Sequence, residues 1–268
     1  MNLEHRLREF LPEARRIVVK IGTRVIAQKT GRPDMRPLKS LVSQIVELHR
    51  KGYEILMVSS GAVGAGVEAL GMKGRPKNVP DLQMCAAVGQ ARLMSHYEDL
   101  FSAEKITIGQ VLLTHSDFQN RIRFANAKRT MEHMIRRGVI PIINENDVVA
   151  DEEIKADLSL GDNDYLAALV VKLVRADLLI ILSTVDGVLD ASGKRVPYIE
   201  NLNEAFALVN PPQAGGLSKG GMDSKLRAAQ IAVKAGCGVV IACGRNKRVL
   251  LDTIAGNDTG TLILSSAL

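Results

Sequence analysis

The sequence contains no tryptophan, and only 3% of its residues are aromatic. Few rings are therefore on hand for stacking nucleobases, and no signature of the RRM type is present, so no nucleic-acid partner is expected. Cysteine is scarce as well. Cys85, Cys237 and Cys243 form no C-x-x-C pair, an odd and scattered set that argues against a disulfide framework and against a zinc site, leaving buried thiols as the expectation. No apolar run reaches the roughly 18 residues of a membrane span. The opening MNLEHRLREF mixes acids and bases without a hydrophobic signal region, so a cytoplasmic protein with no membrane partner is expected. Two catalytic groupings are also missing: no Cys-His or Ser-His-Asp set suggests acyl transfer, and neither a Walker G-x-x-x-x-G-K-[ST] nor a protein-kinase motif occurs.

What is present is a chain of 268 residues that is 46% hydrophobic, enough to bury a large core in one α/β domain spanning residues 1–268. The formal net charge of +6 fits an anionic small ligand but does not by itself demand one. β-branched runs at Ile17–Ile21, Glu54–Val58, Ile106–Leu113, Val139–Ile143, Asp177–Leu182, Gly238–Ala242 and Thr261–Leu264 predict strands. Between them, apolar periodicity predicts helices over the segment containing Leu38, Leu41, Val42, Ile45 and Leu48, then over Asp81–Ser102, Arg121–Arg137, Tyr165–Val174 and Met222–Ala235. A short charged helix is expected at the N-terminus, and Pro197–Pro212 shows no clear pattern. Steady alternation of strand and helix predicts a mainly parallel sheet covered on both faces. The basic stretch Arg121–Arg137 reads as a solvated helix face.

Chemistry is densest between Ile140 and Ala168. Asn144, Glu145, Asn146 and Asp147 follow one strand, and Gly161, Asp162, Asn163 and Asp164 open a helix. Carboxyl ends of parallel strands are where open sheets bind ligands, although a helix cap and a polar turn would account for either cluster alone. Lys20 is the one charge in an apolar strand, placed either to snorkel from a sheet edge or to meet an anion. Gly61, Gly64 and Gly66 in SSGAVGAG make a glycine-rich turn before a helix that continues over Val67–Leu70, suited to an anion or to tight packing. Lys225, in the first turn of its helix, opposes the helix dipole unless an external anion lies between them; otherwise it is a surface lysine. Two lysines, two glycine-rich turns and two Asn/Asp clusters fit phosphoryl transfer, in which positioning and charge stabilisation dominate.

Five stretches in register, VVKIGT at Val18–Thr23, VSSGAVGAG at Val58–Gly66, NENDVVA at Asn144–Ala150, GDND at Gly161–Asp164 and GGMDSKLRAAQIAVKAG at Gly220–Gly236, resemble the signatures of the amino acid kinase family from about Arg16 to Leu264. The resemblance implies a three-layer α/β/α sandwich and ATP with Mg2+, acting on the side-chain carboxylate of L-glutamate to give L-glutamate 5-phosphate, the first step of proline synthesis. Glutamate-binding elements would lie mainly in residues 17–175 and nucleotide-binding elements in 176–268. By the same resemblance, Lys20 and Lys225 flank the transferring phosphoryl group and Asp164 holds them. Ser60, Asp147 and Asn163 bind glutamate. Lys20, Ser183, Thr184 and the segment Lys219, Gly220, Gly221, Met222, Asp223, Ser224 and Lys225 bind the nucleotide. No protein metal ligand is implied. A homo-oligomer, dimer or tetramer, is implied, as is hand-over of product to glutamate-5-semialdehyde dehydrogenase. The chain departs from the family pattern at Arg24, usually a small serine, at Thr184, usually aspartate, at Lys219, often threonine, and at Ala156–Ser159, an apparent insertion. It is expected to be a form lacking the C-terminal PUA domain of many relatives. Alternatives are a non-catalytic paralogue binding glutamate or nucleotide, or a kinase for another carboxylate or a carbamate. Within the family reading, Asp147 would pair with a free substrate ammonium while the amides of Asn144, Asn146 and Asn163 meet the α-carboxylate.

Overall fold

The structure is a computed structural model that describes residues 8–28, 33–150, 162–209 and 221–264. In chain order these form β1 (Arg16–Ile21), α1 (Met35–Arg50), β2 (Glu54–Val58), α2 (Ala62–Ala69), α3 (Val79–Ser102), β3 (Ile108–Leu113), α4 (His115–Gln119) and α5 (Arg121–Arg136). There follow β4 (Ile140–Glu145), α6 (Asp162–Val174), β5 (Leu178–Ser183), β6 (Tyr198–Ile199), α7 (Leu202–Val209), α8 (Met222–Lys234), β7 (Gly238–Cys243), α9 (Val249–Ile254) and β8 (Gly260–Ile263). The eight strands make one sheet in the order β3-β4-β2-β1-β5-β7-β8-β6, with every pairing parallel except β7 with β8.

Side chains alternate across a strand, so each strand feeds two cores. Ile17, Val19 and Ile21 of β1 join Leu38, Leu41, Ile45, Leu93 and Tyr97 in one buried cluster, under α1 and α3. Val18 instead joins Leu166, Val170, Leu226 and Ala229 in the other, under α6 and α8. The same parity puts Lys20 on the α6/α8 face. This three-layer arrangement meets the expectation from the alternating pattern. The basic helix α5 buries Met131 and leaves most of its length to solvent. All three cysteines are buried and free of disulfides.

From β2 the chain goes out to the edge strand β3, steps back to β4 between β3 and β2, then crosses to β5 on the other side of β1. Strand order thus reverses at β1, and the crevice beyond the carboxyl ends at such a point is the general ligand site of open α/β sheets.

The glycine-rich stretch folds differently from the sequence reading. α2 begins at Ala62, after Gly61 at φ +104°, so Gly64 and Gly66 lie inside the helix. A Cβ on Gly66 would stand 1.9 Å from the backbone oxygen of Cys85, and one on Gly89 would stand 1.7 Å from that of Ala62. Close approach of α2 to α3 therefore accounts for Gly66 and Gly89, and only Gly61 serves the turn. Pro197–Pro212, where no pattern was legible, holds β6 and α7 as far as Val209. The expected N-terminal helix, the Ala156–Ser159 insertion, Lys219 and Gly220 lie wholly or largely outside the described residues.

Candidate active site

Lys20, the last residue but one of β1, is in register with Val58 of β2 and Ile181 of β5. A lysine so placed cannot snorkel to an edge, and it is only 6% exposed. Its Nζ lies 2.6 Å from Oδ1 of Asp164, which α6 presents at 2% exposure. From α8, Lys225 Nζ donates to the other oxygen, Oδ2, at 2.9 Å and to the Gly221 carbonyl at 2.9 Å. The Ser224 hydroxyl is 3.1 Å from Asp164 Oδ2. Snorkelling for Lys20 and a solvent-facing surface position for Lys225 are thereby excluded. Burial alone would raise the Asp164 pKa, but the charges and hydrogen bonds of the two lysines outweigh it and hold the carboxyl below its ordinary value. One ionised carboxylate therefore fixes two ammonium groups side by side at the carboxyl end of the sheet.

One residue before Asp164, Asn163 Nδ2 donates to Ser60 Oγ at 2.9 Å, tying the start of α6 to the turn after β2. Asn163 Oδ1 is buried with no hydrogen-bond partner among the described residues, an acceptor that a bound donor would satisfy. Two further contacts, neither signalled by sequence reasoning, come from α3. Tyr97 Oη and Ser59 Oγ are 2.8 Å apart, with both residues fully buried, and burial pushes the Tyr97 phenol up to about 12. Asn144 Nδ2 donates to Gln90 Oε1 at 2.8 Å, and Asn144 Oδ1 accepts from the Glu145 N–H. Asn144 is 2% exposed, so it braces the end of β4 and is not one of the amides turned to a ligand. A polar residue such as Gln90 among Ala86, Ala87, Gly89 and Ala91 was the only signal in the sequence for this brace.

Two cavities open at this end of the sheet. The larger, about 590 Å³, is lined by Lys20, Asp164, Ser183, Thr184, Gly221, Met222, Ser224 and Lys225, which brings together most of the residues expected to bind nucleotide. Its lining also includes apolar side chains, with Leu189 and Leu208 left 39% and 37% exposed. Helix α8 starts at this cavity with Gly221 as N-cap and no side-chain cap among the described residues, a helix start whose first-turn N–H groups suit an anion. Asp223 does not line the cavity; its carboxylate accepts from Arg227 Nε at 2.8 Å. The smaller cavity, about 240 Å³, is lined by Asp147, Asn146 and Glu145 together with Gln90, Gln110 and Ala62. Asp147 and the lysines thus sit in separate cavities. Ser60 and Asn163 stand between them along the chain, Asn163 beside Asp164 and Ser60 two residues before Ala62.

Such an arrangement, with two buried ammonium groups, a helix N-terminus and an apolar slot beside a polar pocket, suits transfer of a phosphoryl group between a nucleotide and a small polar acceptor. Residues 15–243 match the model of the amino acid kinase family. The chain is similar to glutamate 5-kinase of Citrifermentans bemidjiense, 42% identical over 263 residues that cover 96% of this chain and 69% of that protein. It is similar also to glutamate 5-kinase of Clostridium tetani, 39% identical over 260 residues, 95% of this chain and 96% of that one. Among solved structures, carbamate kinase from Giardia lamblia bound to AMP-PNP shares the fold at a TM-score of 0.65 and 17% identity, over 95% of this chain and 100% of that one. Taken with the geometry, these likenesses establish that the chain belongs to the amino acid kinase family and, within it, to the glutamate 5-kinases.

Proposed function

We propose that this protein phosphorylates the side-chain carboxylate of L-glutamate with ATP, giving L-glutamate 5-phosphate at the start of proline biosynthesis. The observation that carries the reading is the Asp164 carboxylate gripping Lys20 and Lys225 at 2.6 and 2.9 Å where the strand order reverses. In this reading a glutamate carboxylate oxygen forms a bond to the γ-phosphorus, the bond to the β,γ-bridging oxygen breaks, and ADP leaves. Negative charge spreads over the moving group's oxygens, where Lys20, Lys225 and the α8 N-terminus stabilise it without reorganising. Asp164 positions both lysines and takes no proton. The apolar lining at Leu189 and Leu208 suits the base, with Ser183, Thr184 and Met222 beside it and Lys219 and Gly220 assigned to the same side. Mg2+ would travel on the nucleotide phosphates, as that ion usually does. Residues 17–175 would serve mainly glutamate and 176–268 mainly nucleotide, within one kinase domain. A cytoplasmic homo-oligomer passing its labile acyl phosphate to glutamate-5-semialdehyde dehydrogenase completes the proposal.

Asp147, Ser60 and Asn163 are assigned to glutamate. Asp147 lines the smaller cavity and offers a carboxylate to the substrate ammonium, and the unpartnered Asn163 Oδ1 offers a second acceptor. An acetylated amine has lost that charge and would leave both acceptors poorly matched, a penalty of roughly 2–3 kcal/mol or about a hundredfold. ADP release is therefore expected with glutamate and at least a hundredfold less with N-acetylglutamate. Asp147→Asn is expected to raise KM for glutamate and leave nucleotide affinity alone. Equal rates on the two substrates would remove Asp147 from this role.

Tyr97 is a positioning residue in the same reading. Tyr97→Phe leaves the buried Ser59 hydroxyl without its 2.8 Å partner next to Ser60, at a cost of about 1–3 kcal/mol. Severalfold higher KM for glutamate, with KM for ATP unchanged, is the expected result. Equal increases in both constants would mean that the phenol holds the fold generally.

A further inference from the structure

Charge in the larger cavity is not balanced. Of its lining residues, Lys20, Arg24, Asp164 and Lys225 are charged, and Asp164 lies between the two lysines. That leaves Arg24, an exposed residue of the lining that has no ion pair among the described residues. Its backbone is well held. The 3-10 turn Thr23–Val25 follows β1 directly, the Val25 N–H donates to the Gly22 carbonyl at 2.9 Å, and Val25 is 1% exposed. Arg245 Nη2 donates to the Arg24 carbonyl at 2.8 Å, anchoring the turn from the β7 side. The main chain is thus pinned while the side chain has no hydrogen bond among the described residues, an arrangement that a structural arginine would not need.

We infer that Arg24 is a third cationic contact for the phosphate chain of the nucleotide, acting on polyphosphate affinity and not on the acceptor substrate. This rests on the nucleotide reading given above. Arg24 sits in the turn that follows β1, the strand that carries Lys20, and both residues line the same cavity. A guanidinium presents its donors in a planar fork that matches two phosphate oxygens at once, which an ammonium cannot do. With one carboxylate already committed to two lysines, a polyphosphate would bring more negative charge than that pair can answer, and Arg24 answers part of the remainder beside the Mg2+ that travels with the phosphates. Because Arg24 is exposed, its attraction should weaken with added salt.

The test is calorimetric binding to the full chain of the β,γ-imido analogue of ATP and, separately, of adenosine, with Arg24→Ala, Arg24→Lys and, as a control, Arg36→Ala. Arg36 lies on α1 and does not line this cavity. Arg24→Ala is expected to weaken the analogue roughly tenfold at low salt, less at high salt, with adenosine unchanged. Arg24→Lys should fall between, and Arg36→Ala should match wild type. Unaltered affinity of Arg24→Ala for the analogue, or equal losses for analogue and adenosine, would overturn the role of Arg24 even in a protein that phosphorylates glutamate normally. A wild-type protein that binds no analogue would overturn the nucleotide reading and the inference together.

Discussion

Lys20→Met and Lys225→Ala are each expected to lower the turnover number on the order of a hundredfold or more, with KM for glutamate changing little. Neither ammonium is spent on holding the fold alone. Lys20 is 6% exposed and Lys225 has a side chain 12% exposed, yet both line a cavity of about 590 Å³, so each has an open side on which charge can develop. A group aimed at the moving phosphoryl acts in the transition state more than in the ground state, and its removal shows in kcat. Methionine at position 20 preserves the apolar stem that β1 packs between β2 and β5, which keeps misfolding from imitating a catalytic loss. Steady-state kinetics on both variants decides the matter. Turnover within a fewfold of wild type would remove that lysine from the mechanism, and a loss confined to KM would make it a binding residue only.

Asp164→Asn should cost both stability and turnover. The asparagine keeps the shape but leaves Lys20 buried beside Lys225 without the carboxylate that both contact. Breaking a buried pair from one side typically costs about 3–5 kcal/mol, and urea unfolding is expected to show a loss of that order. Turnover should fall as well, because two ammonium groups that repel each other no longer hold their positions. The pH dependence has a definite sign. The folded pKa of Asp164 is held below its ordinary value of 3.8 by Lys20 and Lys225, against the opposing effect of burial. Its contribution to stability is therefore full above the unfolded pKa and is lost as pH falls through the folded one. Wild type should lose this contribution below about pH 3.8, and Asp164→Asn should lack that part of the acid decline. Identical unfolding free energies for the two proteins at pH 7 would show that the carboxylate does not hold the pair.

Lys20 and Asp164 illustrate what the sequence could and could not reveal. A lone charge in IVVKI stands out because strands buried on both faces carry almost none, and the two-residue period assigns it a face. Long helices and buried strands were legible for the same reason, since apolar periodicity reports burial directly. Contacts between distant parts of the chain were not. Asp164 bridging Lys20 and Lys225, Tyr97 bonded to Ser59 and Gln90 bonded to Asn144 depend on which helices pack on which face, and no local pattern records that. Known family signatures pointed to the first of these and were silent on the other two. Ala62–Ala69 was placed too late because Gly64 and Gly66 look like a turn, whereas the α2–α3 contact demands glycine inside the helix. Short pieces such as His115–Gln119, Tyr198–Ile199 and Val249–Ile254 are held by tertiary contacts and carry too few residues for a period to show.

Transfer of the γ-phosphoryl group of ATP onto the side-chain carboxylate of free glutamate can be trapped directly. Incubating the purified protein with ATP, Mg2+ and glutamate in hydroxylamine traps an acyl phosphate as its hydroxamate. Glutamate 5-hydroxamate is expected in a one-to-one ratio with ADP, with a large loss of both in Lys20→Met. ADP released without hydroxamate, or bound nucleotide with neither product, would contradict it.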